Sequence, residues 1–166
     1  MSAVKLIIQS LAELIRIHQQ LNELASKKVD SIKQGDMPAL EALVREESKL
    51  ASKLRTTELM REKQVHAFFA EQGEANEHAT ISSMIALVSS DEANLLQRLQ
   101  KVLVQEVNEL KKQNELNQSL IQESLQFVNL SLDLLIPNAE DVSYKRPQAR
   151  EERSYEPSHS IFDSKA

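Results

Sequence analysis

Histidines are the first residues to question, because an imidazole can carry a proton, a phosphoryl group or a metal near neutral pH. His18, His66, His78 and His159 are scattered along the 166-residue chain, and none makes an HExxH or HxxxH pair. Glu156 and His159 have the ExxH spacing of di-iron bundles, but Pro157 lies between them and breaks the helix that would present both on one face. His18 falls on an apolar helical seam, where an imidazole is a bundle-edge residue, and no glycine four residues on opens space as in phosphotransfer helices. Ser82, Ser83, Ser89 and Ser90 lack a nearby base and suit capping roles. The paired carboxylates Glu46 with Glu47 and Glu151 with Glu152 read as solvated charges. The only glycines are Gly35 and Gly73, so there is no phosphate-cradling loop, and the absence of cysteine removes thiolate metal sites and disulfides. Neither catalysis nor a metal or cofactor site is expected.

What the composition does supply is helix. Leu, Glu, Gln, Ala, Lys and Ser dominate, side chains that lose little rotamer freedom in long solvated helices, and aromatics are few. The expected fold is all-α: an elongated antiparallel helical hairpin plus a long third helix, a three-helix or coiled-coil bundle over residues 1–136, followed by a flexible tail over 137–166. Intermixed charges, 25 acidic and 20 basic for a net of −5, leave no basic stripe for a phosphate backbone, so no nucleic acid is expected. Charges from Lys5 to Asp30 interrupt the first thirty residues, so neither an export signal nor membrane insertion is expected and the chain reads as cytoplasmic.

Ser2 can cap a first helix whose seam runs Ile7, Leu11, Leu14, His18, Leu21, Ala25, Val29 and Ile32. Gly35 should end it near Gln34, and Asp36 should cap a second helix, about 37–72, with Pro38 in its first turn and Gly73 at its close. A short apolar segment at 80–88 is expected to lid one end of the hairpin. Ser89 and Glu92 stand in capping-box spacing, so a long helix should begin there and run to the residue before Pro137.

That last helix has apolar residues on two sides. Ile121, Leu125, Val128, Leu132 and Leu135 form one stripe; Leu116, Leu120, Phe127, Leu130 and Leu134 form another; Gln118, Gln122, Gln126, Asn129 and Asp133 hold the remainder for water. Asn114 and Asn117 interrupt the main seam, either fixing register or marking a wet gap where the bundle opens. At 1.5 Å per residue the first two helices are about 50 Å long and the last about 68 Å. Residues from about 125 onward should therefore lack internal partners. A partner protein, a homodimer in the free state, or the helix end folding back could cover them.

The helical hairpin, the segment NELNQSLIQESLQFVNLSLDLL and the terminal IFDSKA together resemble the FlgN family of bacterial flagellar export chaperones, particularly its Gram-positive branch. The resemblance implies a cytoplasmic chaperone of type III export that binds the C-terminal amphipathic helical region of the hook-filament junction proteins FlgK and FlgL, keeps them unassembled and delivers them to the export gate. It assigns cargo contact to Leu120, Ile121, Leu125, Phe127, Val128, Leu132 and Leu135, with Asn114 and Asn117 setting register. A tyrosine after this helix docks on the gate protein FlhA in the family, and Tyr144 and Tyr155 both qualify by position. Ile161 and Phe162 are a second candidate docking pair, or a segment that folds back on the exposed helix. A coiled-coil scaffold that self-associates through the same seam is the alternative reading.

Overall fold

A computed structural model describes residues 2–74 and 79–135, and every described element is an α-helix. The chain divides into two compact units, Met1–Val128 and Asn129–Ala166. The first holds α1 (Ala3–Gln34), α2 (Met37–Glu71), α3 (Ile81–Ile85) and most of α4, a continuous helix of 46 residues over Ser90–Leu135. The described part of the second unit is the end of that helix.

Local chemistry sets the helix boundaries. Ser2 is the N-cap of α1 and its hydroxyl accepts from the Lys5 amide, satisfying one of the donors every helix start leaves over. At the other end Gly35 is left-handed, with φ 68°, and the Gly35 and Asp36 amides donate back to the carbonyls of Ile32 and Ser31. This is a Schellman-type stop, which a side chain with a Cβ adopts only at a cost. Asp36 then accepts from the Ala39 amide and starts α2, with Pro38 in a first-turn position where its missing N–H is no loss. Gly73, φ 71°, closes α2 in the same way, with Glu74 donating to the Phe69 carbonyl. Ser89 and Glu92 make the capping box that starts α4: the Ser89 amide donates to the Glu92 carboxylate and the Glu92 amide to the Ser89 hydroxyl.

Within the first unit α1 carries most of the burial. Its expected seam is buried throughout except for half-buried His18, and Val4 with Ile15 on one flank of it and Ile17 with Leu24 on the other widen the covered face. On α2 only Val65, Phe68 and Phe69 are buried, and on α4 only Leu96 and Asn117. One apolar cluster joins Val4, Ile7, Leu11 and Leu14 of α1 to those three residues of α2, to Ile81 and Met84 of α3 and to Leu96 of α4. Phe68 and Phe69 meet edge to face at 5.5 Å, the geometry aromatic quadrupoles favour. The expected lid is real, since α3 closes this end of the hairpin. Leu54, Leu99 and Leu103 are the last residues to pack on the cluster.

The hairpin is tied together elsewhere by polar groups. Ser10 donates to Gln64 at 2.6 Å, Lys53 pairs with Glu13 and Lys28 pairs with Glu47. The bonded Lys53 ammonium holds the Glu13 carboxyl below its usual range. Among the described residues no helix is long and apolar enough to cross a membrane.

Candidate partner-binding groove

Below Leu103, beyond the apolar cluster, side-chain amides join α4 to α1. The Asn22 amide of α1 donates to both the backbone carbonyl and the carboxylate of Glu106, at 3.0 and 2.9 Å. The Asn117 amide of α4 returns the gesture, donating to the backbone carbonyl of Ala25 at 3.0 Å. His18 lies in the same layer. Burial pushes its imidazole pKa down, opposed by the nearby carboxylates of Glu106 on α4 and Glu58 on α2. Glu58 is itself held below the usual carboxylate range by hydrogen bonds from Arg61.

This layer is incompletely satisfied. His18 Nδ1, Asn22 Oδ1 and Asn117 Oδ1 are buried without a hydrogen-bond partner. A buried polar atom left unpaired costs on the order of 1–3 kcal/mol, so the boundary between α1 and lower α4 is held weakly compared with the apolar cluster above it. The α1 and α2 backbones approach closely, whereas α4 keeps a wider separation from α1 along its length that side chains must bridge.

The Asn117–Ala25 bond also fixes the axial register. From Ala25 to the end of α1 is nine residues, about 14 Å at 1.5 Å per residue, so the Gly35 turn lies level with α4 near residue 126. There a groove of about 880 Å³ opens. One wall is Ile32 of α1 with Met37 and Leu40 of α2; the other is Leu120, Ile121, Leu125, Phe127 and Val128 of α4; Lys33, Gln34 and Glu123 stand on the rim. Leu125 is 59 % exposed and Ile121, Phe127 and Val128 are exposed as well, with Leu120 half-buried. Covering each such side chain would contribute roughly 1.5–3 kcal/mol.

Five of the α4 residues singled out from the sequence thus line one groove. The two asparagines separate: Asn117 is 4 % exposed and bonds across to α1, while Asn114 faces solvent. Leu132 and Leu135 are exposed in the second unit, and Tyr144, Tyr155, Ile161 and Phe162 lie outside the described residues. Sequence reasoning missed the facing wall. Met37 and Leu40 stand three apart directly after the turn, a spacing that puts both on one face of α2, but nothing local says that α4 passes opposite them. Asn22 was missed too, since its partner is 84 residues away.

For chemistry the arrangement offers little. Among the described residues no group of three His, Cys, Asp or Glu could hold a metal ion, and the groove's walls present carbon. What it can do is receive an apolar stripe on another chain, as in helix-in-groove recognition.

Comparison with known proteins gives the context. A model of the family described as "FlgN protein" matches residues 1–152. A protein of Bacillus subtilis (strain 168), named "Uncharacterized protein YvyG", is 34 % identical over 164 residues, 99 % of each chain. No solved structure matches.

Proposed function

The chain belongs to the FlgN family of flagellar export chaperones, and from that premise we propose that it binds the C-terminal helical region of the hook-filament junction proteins FlgK and FlgL in the cytoplasm, keeps them unassembled and delivers them to the type III export gate. The observation that carries this reading is the groove between the Gly35 turn and residues 120–128 of α4. It is walled by apolar side chains, and its α4 wall belongs to an amphipathic helix whose exposed leucines, valine and phenylalanine gain most from the apolar face of a visiting helix. In this reading residues 1–136 hold the cargo and residues 137–166 hand it over, with Tyr144 or Tyr155, and the Ile161–Phe162 pair, docking on the gate protein FlhA. Leu132 and Leu135 extend the cargo surface, and Asn117 sets its register. Neither a cofactor nor an enzymatic step has a part in it.

The test is capture of a synthetic C-terminal segment of FlgK or FlgL. Replacing Leu125→Asp together with Val128→Asp puts two charges into the groove wall, and burying an unpaired charge is prohibitive. Binding should fall at least about a hundredfold while circular dichroism stays helical. Unchanged binding by the doubly substituted chain would remove the groove from the cargo site. A concentration-dependent dimer whose mass stays unaltered by added segment would instead support the self-associating scaffold.

A further inference from the structure

Three observations in the lower part of the first unit point the same way. The apolar cluster that holds the start of α4 reaches Leu103 and no further along this helix. Lower down it is tied to α1 by two reciprocal amide-to-carbonyl bonds, Asn22 to Glu106 and Asn117 to Ala25. Both amides keep a buried oxygen without a partner. A contact that leaves half of its polar capacity unused is cheap to break, because water on the open side supplies all the missing bonds at once.

We infer that Asn22 and Asn117 are a polar latch, which releases so that α4 from Glu106 to Val128 swings away from α1 about its apolar anchor at Leu96, Leu99 and Leu103, and thereby sets the width of the groove. In function the latch is the regulation of the proposed cargo site and rests on that reading; as a motion it does not. In the structure Ile32 and Leu40 lie across the groove from α4, and the open state exposes both walls further to a helix of ordinary diameter, about 10 Å. A leucine at position 117 has the same branching, is bulkier and lacks the orphaned oxygen, so it removes the group that water would solvate in the open state and favours the shut one. Retaining an asparagine there trades affinity between α1 and α4 for the ability to part.

The chain has no cysteine, so spin labels can be placed at will on the groove rim, at Gln34→Cys and Ser124→Cys. Pulsed dipolar spectroscopy on the full-length chain should give a distance distribution with a short and a long population. Adding Asn117→Leu should deplete the long population about tenfold or more, the shift expected when an unsatisfied buried amide is replaced by an apolar group of the same branching. Asn114→Leu, three residues away on the open face, should leave the distribution as it was. A single narrow distance, identical with and without Asn117→Leu, would overturn the latch. An FlgK or FlgL C-terminal segment should then enrich the long population in the labelled chain. If the free-chain result holds while the segment neither binds nor alters the distances, the latch stands and the cargo reading of the groove fails.

Discussion

The two ends of the first unit are built from the same kinds of residue and reach opposite states. At the α3 end, Leu96 is wholly buried among Val4 to Leu14, Val65, Phe68, Phe69 and Met84. Further along the same helix, at the Gly35 turn, Leu125 leaves most of its surface in water, and Ile121 and Val128 are exposed as well. Both leucines sit on the apolar stripe of one continuous amphipathic helix. What differs is coverage: α3 and the C-terminal turns of α2 close one end, and nothing among the described residues closes the other. Stability is concentrated where α3 seals the hairpin, which leaves the distal surface available for binding without threatening the fold.

The largest expected effect tests that asymmetry with one substitution made twice. Leu96→Ala removes a fully buried side chain and should cost about 2–5 kcal/mol in urea denaturation, the range for cavity-forming leucine truncations. Leu125→Ala should change stability by less than about 0.5 kcal/mol, as exposed positions do, while weakening capture of a cargo segment. Equal losses at both sites would mean that the distal leucine is covered in solution and that the contrast between the ends is false.

How much of this the sequence discloses depends on the range of the interaction. Ser2, Gly35, Asp36 with Pro38, Gly73, and Ser89 with Glu92 act on backbone groups within a few residues, and all five helix boundaries they imply are where the spacing puts them. The seam of α1 was equally legible from its steps of three and four. Harder to read is which helix sits in the middle. α4 carries two apolar stripes and looks like the helix with two neighbours, yet α1 is the one buried on both flanks of its seam, through Ile15 on one and Ile17 and Leu24 on the other. Periodicity shows that a face is apolar and says nothing of the order in which helices stack. The same limit applies to Asn114 and Asn117: three residues apart, they lie only about 60° apart around the helix, and only the packing decides which one turns inward.

A smaller effect probes the open end from the hairpin side. Gly35 has a left-handed backbone and no atom within 4 Å of where a Cβ would stand, so Gly35→Ala brings no clash and only conformational strain. A cost of about 1–2 kcal/mol is expected. If the turn also positions Met37 and Leu40 as a groove wall, the same substitution should weaken cargo capture more than an equally destabilising change at the sealed end, such as Gly73→Ala, does. Equal binding losses in the two variants would show that the turn serves only to reverse the chain.

The subtlest expectation concerns pH, and it sharpens the contrast between apolar and polar attachment of α4. His18 sits where the apolar cluster gives way to the layer of Asn22, Glu58 and Glu106, with its Nδ1 buried and unpaired. Burial lowers its pKa below the ordinary value, against the partial counter-pull of the two carboxylates. The unfolded chain, with an imidazole pKa of about 6.5, therefore binds a proton at a higher pH than the folded chain. Folding stability should be at its full value above that pH and decline as pH falls from about 6.5 toward the lower folded pKa, because each step of acidification favours the state that takes up the proton. His18→Gln, which keeps a polar side chain of similar reach but cannot titrate, should flatten the dependence between pH 7 and 5.5 by comparison. Carboxylate pairs such as Glu13 with Lys53 titrate lower and contribute outside this window. Chemical denaturation of both proteins at a series of pH values gives the comparison directly, and parallel curves would mean that the imidazole reaches water in the folded state, so that the polar layer is already open.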